Sequence, residues 1–196
     1  MGRDCIFSGP GFGACRVATT GDDEEDLAAG DFSAWLREMQ GAIRGEHGST
    51  VPCGGCTACC TSSQFVYIGP EETDTLAHIS ASLLFPAPRR PPGSMVMGYD
   101  ERGHCPMLVD NQCSIYHHRP QTCRTYDCRV FAAAGIEADD DKVLIARQAR
   151  RWSFSYPSER DRQEHDAVRV LAERTDRLNA TQVAIVAIEQ FLAAEE

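Results

Sequence analysis

Apolar residues recur at helical spacing near the start and at the end of the chain. In the first stretch they predict a helix from Phe32 to about Ile43, for which Asp31 is a suitable N-cap. After Ser158 the same spacing predicts two closing helices, the second of them over residues 181–194. We expect the terminal helices to cover the core of the fold.

The middle of the chain has a shorter and more broken pattern. Residues 64–68 (QFVYI) and 95–99 (MVMGY) are rich in aromatic and β-branched side chains, which predicts two short strands. Four prolines make residues 85–94 an irregular connector. Pro120 can start a helix that ends near Gly135. The predicted fold is therefore an α-rich α+β fold, a small single domain with metal-organised loops, two short strands and C-terminal helices.

Three other segments complete this reading of the pattern. Residues 1–30 are rich in glycine and contain the run DDEED, so we predict a disordered or weakly ordered leader before a single domain over residues 31–196. Pro70 and the two glutamates after it predict a short helix that runs through Ile79. Residues 142–151 fit a helix and a strand, and the pattern leaves both open.

Composition and charge narrow the class of protein. The net charge of −10 comes without a basic stripe, which argues against a nucleic-acid partner because phosphate binding depends on Lys and Arg. No apolar run is long enough for a membrane span, and the start of the chain has no secretory pattern. We therefore expect a cytoplasmic, reducing setting, in which ten patterned cysteines favour metal binding over disulfides.

Eight of the ten cysteines lie in two stretches, and Cys5 and Cys15 are set aside as unpaired thiols of the leader. The first stretch, residues 53–60, reads CGGCTACC, and its glycines allow a tight loop around a cation. Four cysteines of the second stretch can join it, and eight thiolates can fill two four-coordinate sites of zinc or of iron–sulfur iron. The predicted metal ligands are Cys53, Cys56, Cys59, Cys60, Cys105, Cys113, Cys123 and Cys128.

The pair Cys59–Cys60 carries information about how many ions are bound. Neighbouring side chains diverge on a helix and on a strand, so one of the two serves a different ion, bridges two ions or lies behind the ligands. If the segment is helical, Cys56 and Cys60 share a face. If it is a loop, Cys53, Cys56 and Cys59 match the first three ligands of a ferredoxin run.

Cationic side chains lie close in sequence to the second cysteine stretch. A metal ion with four thiolates carries a net negative charge, and hydrogen bonds to sulfur or to nearby carboxylates stabilise it. We expect Arg119, Arg124 and Arg129 to supply these bonds. His104, His117 and His118 are weaker ligand candidates because the cysteines already suffice.

Four motifs together resemble those of the YkgJ-type CxxCxxCC cysteine-cluster family, described as a zinc- or iron-chelating domain. They are CxxCxxCC at residues 53–60, CPML at 105–108, CSIYHHRP at 113–120 and CRTYDC at 123–128. The resemblance covers about residues 50–135, with the C-terminal helical part at about 158–195 beyond it. It implies a cytoplasmic bacterial metalloprotein, a class often labelled iron–sulfur oxidoreductases.

Three functions follow from these observations. The first is a metal-binding protein that chelates iron, as such or in an iron–sulfur cluster, or zinc; the CxxCxxC run with a distant Cys-Pro favours iron. The second is an iron–sulfur oxidoreductase-like enzyme, whose catalytic residues the sequence leaves unknown. The third is a structural zinc module that presents its helices to a protein partner.

Overall fold

The computed structural model describes residues 25–176 and 178–195. Its helices are α1 Phe32–Ile43, α2 Thr73–Ala77, α3 Gln121–Thr125, α4 Arg129–Ala134, α5 Val143–Arg150, α6 Glu159–Glu173 and α7 Ala180–Glu195. Its strands are β1 Leu27–Asp31, β2 Val66–Ile68, β3 Leu84–Pro86, β4 Met95–Met97, β5 Leu108–Val109, β6 Gln112–Cys113 and β7 Trp152–Ser155. None of the helices in these ranges is long and apolar enough to cross a membrane.

The described residues form two hydrophobic cores. The larger one, which we call the helical core, is formed by α1 and α4–α7 with the parallel pair β1–β7, and it buries Phe32, Phe131 and Ile188 completely or nearly so. The smaller one, the sheet core, is formed on the antiparallel sheet β2–β4–β3 around Ile68 and Met97. The cysteine stretches connect the elements of these two cores.

The α-rich mixed fold predicted from the pattern is confirmed, as are both predicted strands, which pair as β2 and β4.

Helix α1 has the predicted bounds, but the side chain of Asp31 does not cap it. The carboxylate of Asp161 accepts the hydrogen bond of the Ser33 N–H instead, at 3.0 Å. Helix packing thus brings a distant acceptor to the first turn of α1. The two closing helices are present as α6 and α7.

The helix predicted from Pro120 to Gly135 is divided into α3 and α4. The chain is extended at Tyr126, and the carboxylate of Asp127 then accepts the N–H of Arg129 at 2.9 Å, which starts a new helix. Gly135 ends α4 with a left-handed φ of 66°, a conformation that glycine adopts without strain. The undecided segment 142–151 forms α5.

The predicted leader is described only from residue 25 onward. Residues 1–24, with Cys5 and Cys15, lie outside the described part of the chain. Leu27–Asp31 forms β1, which pairs in parallel with β7 and buries Ala29. The short helix after Pro70 is α2, which ends at Ala77, before Ile79.

Candidate metal centre

The first cysteine stretch is a tight loop that becomes a single 3₁₀ turn. The Cys56 N–H donates to the carbonyl of Cys53 at 2.9 Å, and Gly54 adopts a left-handed φ of 53° to close this turn. Residues Ala58–Thr61 then form the 3₁₀ turn. The segment is therefore a loop over residues 53–57, as one of the two alternatives considered from the sequence had it, and it ends in a 3₁₀ turn and not in an α-helix.

The second stretch presents its cysteines from a hairpin and from two helix starts. Strands β5 and β6 pair Leu108 with Cys113, and the turn between them places Asp110 and Asn111 at left-handed φ, as a two-residue hairpin requires. The remaining cysteines occupy ends of elements. Cys105 precedes the hairpin, Cys123 lies in the first turn of α3, and Cys128 is the N-cap residue of α4.

Electrostatic coupling joins Cys128 to three cysteines of the first stretch. Burial raises the pKa of the Cys128 thiol to about 12, and repulsion from Cys53 and Cys56 adds to this. Burial also raises the pKa of Cys59, with further repulsion from Cys60, Cys128, Cys53 and Cys56. We call Cys53, Cys56, Cys59 and Cys128 the helical-core cysteines.

A second set of four thiols couples in the same way. Burial raises the pKa of Cys60 to about 11, and its strongest repulsion comes from Cys105 and then Cys113, with a smaller effect from Cys56 of the helical-core cysteines. Burial raises the pKa of Cys123 to about 12, with repulsion from Cys105, Cys60 and Cys113. We call Cys60, Cys105, Cys113 and Cys123 the sheet-core cysteines.

Packing divides the cysteines along the same line. Cys128 is part of the helical core, and Ala58 packs against that core. Cys105, Cys113 and Cys123 pack against the sheet core instead. The Cys105 N–H donates to the carbonyl of Cys60 at 2.7 Å, which attaches the end of the first stretch to this second set. Cys60 is thus joined to the sheet-core cysteines, whereas its neighbour Cys59 lies close in sequence to Ala58, which packs against the helical core.

The donor set fits a soft or borderline metal. All eight cysteines are free thiols, Cys128 buried and the others half-buried, and sulfur ligands select zinc, copper(I) and iron–sulfur iron. Because burial and mutual repulsion raise the pKa of most of these thiols, the metal-free protein holds protons that an incoming cation would displace.

Comparison with known families agrees with this donor set. Residues 52–148 match the family model CxxCxxCC, whose description is "Putative zinc- or iron-chelating domain". The cysteine-bearing segment belongs to the CxxCxxCC family. The match includes all eight thiols and extends past the expected residue 135 into α5. Comparisons with curated proteins and with solved structures gave no match.

The three arginines expected near the CxxCxxCC thiols have different surroundings. Arg119 lies across the Tyr116 ring at 3.8 Å, and its charge lowers the pKa of Cys53, Cys60 and Cys123, so it acts on both cysteine sets. Arg124 donates to Gln121 at 2.9 Å and lies 3.8 Å from the carboxylate of Glu72. Among the described residues, Arg124 is not one of the groups that shift the pKa of a cysteine.

Arg129 forms a buried ion pair beside the helical-core cysteines. Its guanidinium donates to both carboxylate oxygens of Asp127 at 2.7–3.0 Å and to the carbonyl of Ala29 at 3.1 Å. Trp35 and Ser49 also donate to Asp127, at 3.0 and 2.8 Å. Asp127 raises and Arg129 lowers the pKa of Cys53, so the pair is electrostatically coupled to the thiols.

Sequence reasoning missed Trp152 as a partner of these thiols. The indole N–H donates to the sulfur of Cys128 at 3.1 Å, and this bond lowers the pKa of that thiol against the effect of burial. Trp152 begins β7 and is held by its register with Leu27 of β1. A contact across 24 residues leaves no local pattern, so spacing alone offered no signal for it.

Proposed function

We propose that this chain binds iron or zinc through two four-cysteine sites that share the CxxCxxCC loop, and that iron, in an iron–sulfur cluster, is the natural occupant. One site uses the helical-core cysteines and the other uses the sheet-core cysteines. The single observation that carries the proposal is the packing of the cysteines against two different cores. Cys128 lies in the helical core, whereas Cys105, Cys113 and Cys123 pack against the sheet core, and the carbonyl of Cys60 accepts the N–H of Cys105.

Four thiolates per site match the coordination number of structural zinc and of cubane or rhombic iron–sulfur clusters. The charge balance also supports the proposal. Each tetrathiolate site carries excess negative charge, and Arg119 lowers the pKa of thiols in both sets, as a cation that stabilises the thiolates should. Burial raises the pKa of Cys105, and the peptide N–H groups of Met107 and Leu108 oppose this rise as Arg119 does at the other thiols.

The cysteine pattern favours iron–sulfur iron over zinc. The CxxCxxC run at residues 53–59, followed by a distant Cys-Pro at residues 105–106, is typical of loops that bind iron–sulfur clusters. When bound, such a cluster would supply one-electron transfer.

Metal analysis of protein purified without oxygen tests this proposal. We expect iron and acid-labile sulfide, with visible absorption at about 400 nm that bleaches with dithionite. Zinc alone, in a colourless protein, would overturn the assignment to iron but keep the two sites. The absence of stoichiometric iron and zinc would overturn both. A Cys5→Ser/Cys15→Ser double variant is the matched control and should retain all of the metal.

Trp152 is expected to strengthen metal binding by the helical-core cysteines. A Trp152→Phe variant should bind metal there about tenfold to a hundredfold more weakly, because a hydrogen bond to a charged acceptor contributes roughly 1.5–3 kcal/mol. Competition with a chelator measures the change. Trp35→Phe is the control, since it makes the same substitution in the same core but removes a bond to Asp127 and none to sulfur. Equal losses in both variants would assign the effect to packing.

A further inference from the structure

Two histidines and one aspartate form a cluster on the surface that the cysteine sites do not use. Asp74 lies in α2, His78 follows the end of that helix, and His118 ends the 3₁₀ turn Tyr116–His118. The Nδ1 atom of His118 lies 2.7 Å from one carboxylate oxygen of Asp74, and Nδ1 of His78 lies 3.9 Å from the other. One ligand atom from each residue lies within 4.8 Å of the other two.

The two imidazole rings are in direct contact. Their centroids are 3.6 Å apart and their planes differ by 8°. Neutral imidazole nitrogen is a common metal ligand, and the contact places two such side chains next to each other. Asp74 contributes a negative charge at 71% side-chain exposure, and its pKa is lowered mainly by the hydrogen bond with His118.

The surrounding backbone holds the cluster together across 44 residues of sequence. Glu72 accepts hydrogen bonds from the N–H of Gly69 at 2.8 Å and from the N–H of Gln121 at 2.5 Å, which joins the segment before α2 to the start of α3. The Thr122 hydroxyl donates to the carbonyl of Tyr67 at 2.8 Å and adds a second connection. The side chains that approach each other are therefore carried on a rigid frame, which lowers the entropic cost of binding.

We propose that Asp74, His78 and His118 form a third, chemically different metal site that takes a borderline divalent ion of the zinc or nickel type. Imidazole nitrogen suits these ions, and a carboxylate completes a three-ligand set with positions left for water. The soft ions that thiolates select are poorly matched to this nitrogen and oxygen set. The site lies at the surface, so its ion exchanges with solvent.

Only small movements are needed for the three groups to converge. The stacked rings present parallel edges, so each must turn about its Cβ–Cγ bond to direct a nitrogen at a common ion. Rotation about such a bond is soft, and the side chains of His78 and His118 are 40% and 38% exposed, which leaves them room. Nδ1 of His78 also contacts the carbonyl of Asp74 at 2.8 Å, which keeps that ring close to α2.

Calorimetric titration of Zn²⁺ into full-length protein whose thiol sites are already loaded tests this proposal. We expect one additional ion per chain with micromolar affinity. The His78→Ala, His118→Ala and Asp74→Ala variants should each weaken it about tenfold or more, since even an outer partner of a metal ligand contributes tenfold or more. His117→Ala is the matched control, because His117 is an exposed neighbour outside the cluster, and it should bind Zn²⁺ unchanged.

Two results would overturn the proposal. One is Zn²⁺ binding that is only millimolar, or that is equal in all four variants. The other is sulfur-to-metal charge-transfer absorption on titration with Co²⁺, which would assign the added ion to thiols. Unchanged thiol-bound metal and unchanged circular dichroism in each variant exclude unfolding as the cause of a loss. The outcome is independent of which metal the cysteine sites hold.

Discussion

The Cys59→Ser and Cys60→Ser variants are each expected to lose about half of the bound metal, and to lose different halves. The two residues are adjacent, and the substitution is identical. After burial, the largest effects on the pKa of Cys59 come from its neighbour Cys60 and then from Cys128, whereas those on the pKa of Cys60 come from Cys105, Cys113 and then Cys56. Apart from the effect of one neighbour on the other, each residue is thus coupled most strongly to a different partner. A serine hydroxyl is a poor replacement for a thiolate at a soft metal, so each variant should empty the site to which its residue belongs.

Metal content per chain gives the size of the loss, and hydrogen exchange identifies which half is affected. Emptying the site of Cys59 should increase exchange in α4, which begins after Cys128 in the helical core. Emptying the site of Cys60 should increase exchange in β2 and β4 of the sheet core. Complete metal loss in both variants, or an identical exchange pattern, would contradict two sites and indicate one shared centre.

Replacing Asp127 with alanine is expected to lower the free energy of unfolding by about 3–5 kcal/mol, the usual cost of removing one partner of a buried ion pair. The Asp127 carboxylate is fully buried, and the Arg129 side chain is 6% exposed. Without the carboxylate, the guanidinium keeps only the carbonyl of Ala29 among its bonds, and Trp35 and Ser49 lose an acceptor. Urea denaturation monitored by circular dichroism measures the loss.

Asp100→Ala is the matched control for this experiment. Asp100 and Arg102 have the same types and the same spacing as Asp127 and Arg129, and their charged groups lie 3.1 Å apart, but their side chains are 37% and 74% exposed. An exposed pair contributes about 0–1 kcal/mol, so the control should lose far less stability. Equal losses in the two variants would show that burial does not determine the importance of Asp127.

The sequence predicted the elements with strong periodicity and missed the break between α3 and α4. Helix α1 was correct to the residue because its apolar face is uninterrupted. The helix expected over residues 120–135 is broken at Asp127, whose buried carboxylate accepts the N–H of Arg129. The local sequence pattern around Asp127 does not predict this hydrogen bond. The capping of α1 by Asp161 was missed for the same reason, since donor and acceptor are 128 residues apart.

The sequence by itself predicted the candidate metal ligands of this protein. Residues 52–148 contain eight clustered cysteines at short spacings, and this segment matches the CxxCxxCC family model. The proposed grouping of these thiols rests on the tertiary structure alone, because electrostatic coupling and packing depend on distance in space. It also brought Trp152 to Cys128, and Asp74 and His78 to His118, contacts that span 24 and up to 44 residues. Such contacts arise only when distant elements pack against each other, so the spacing of residues in the sequence does not predict them.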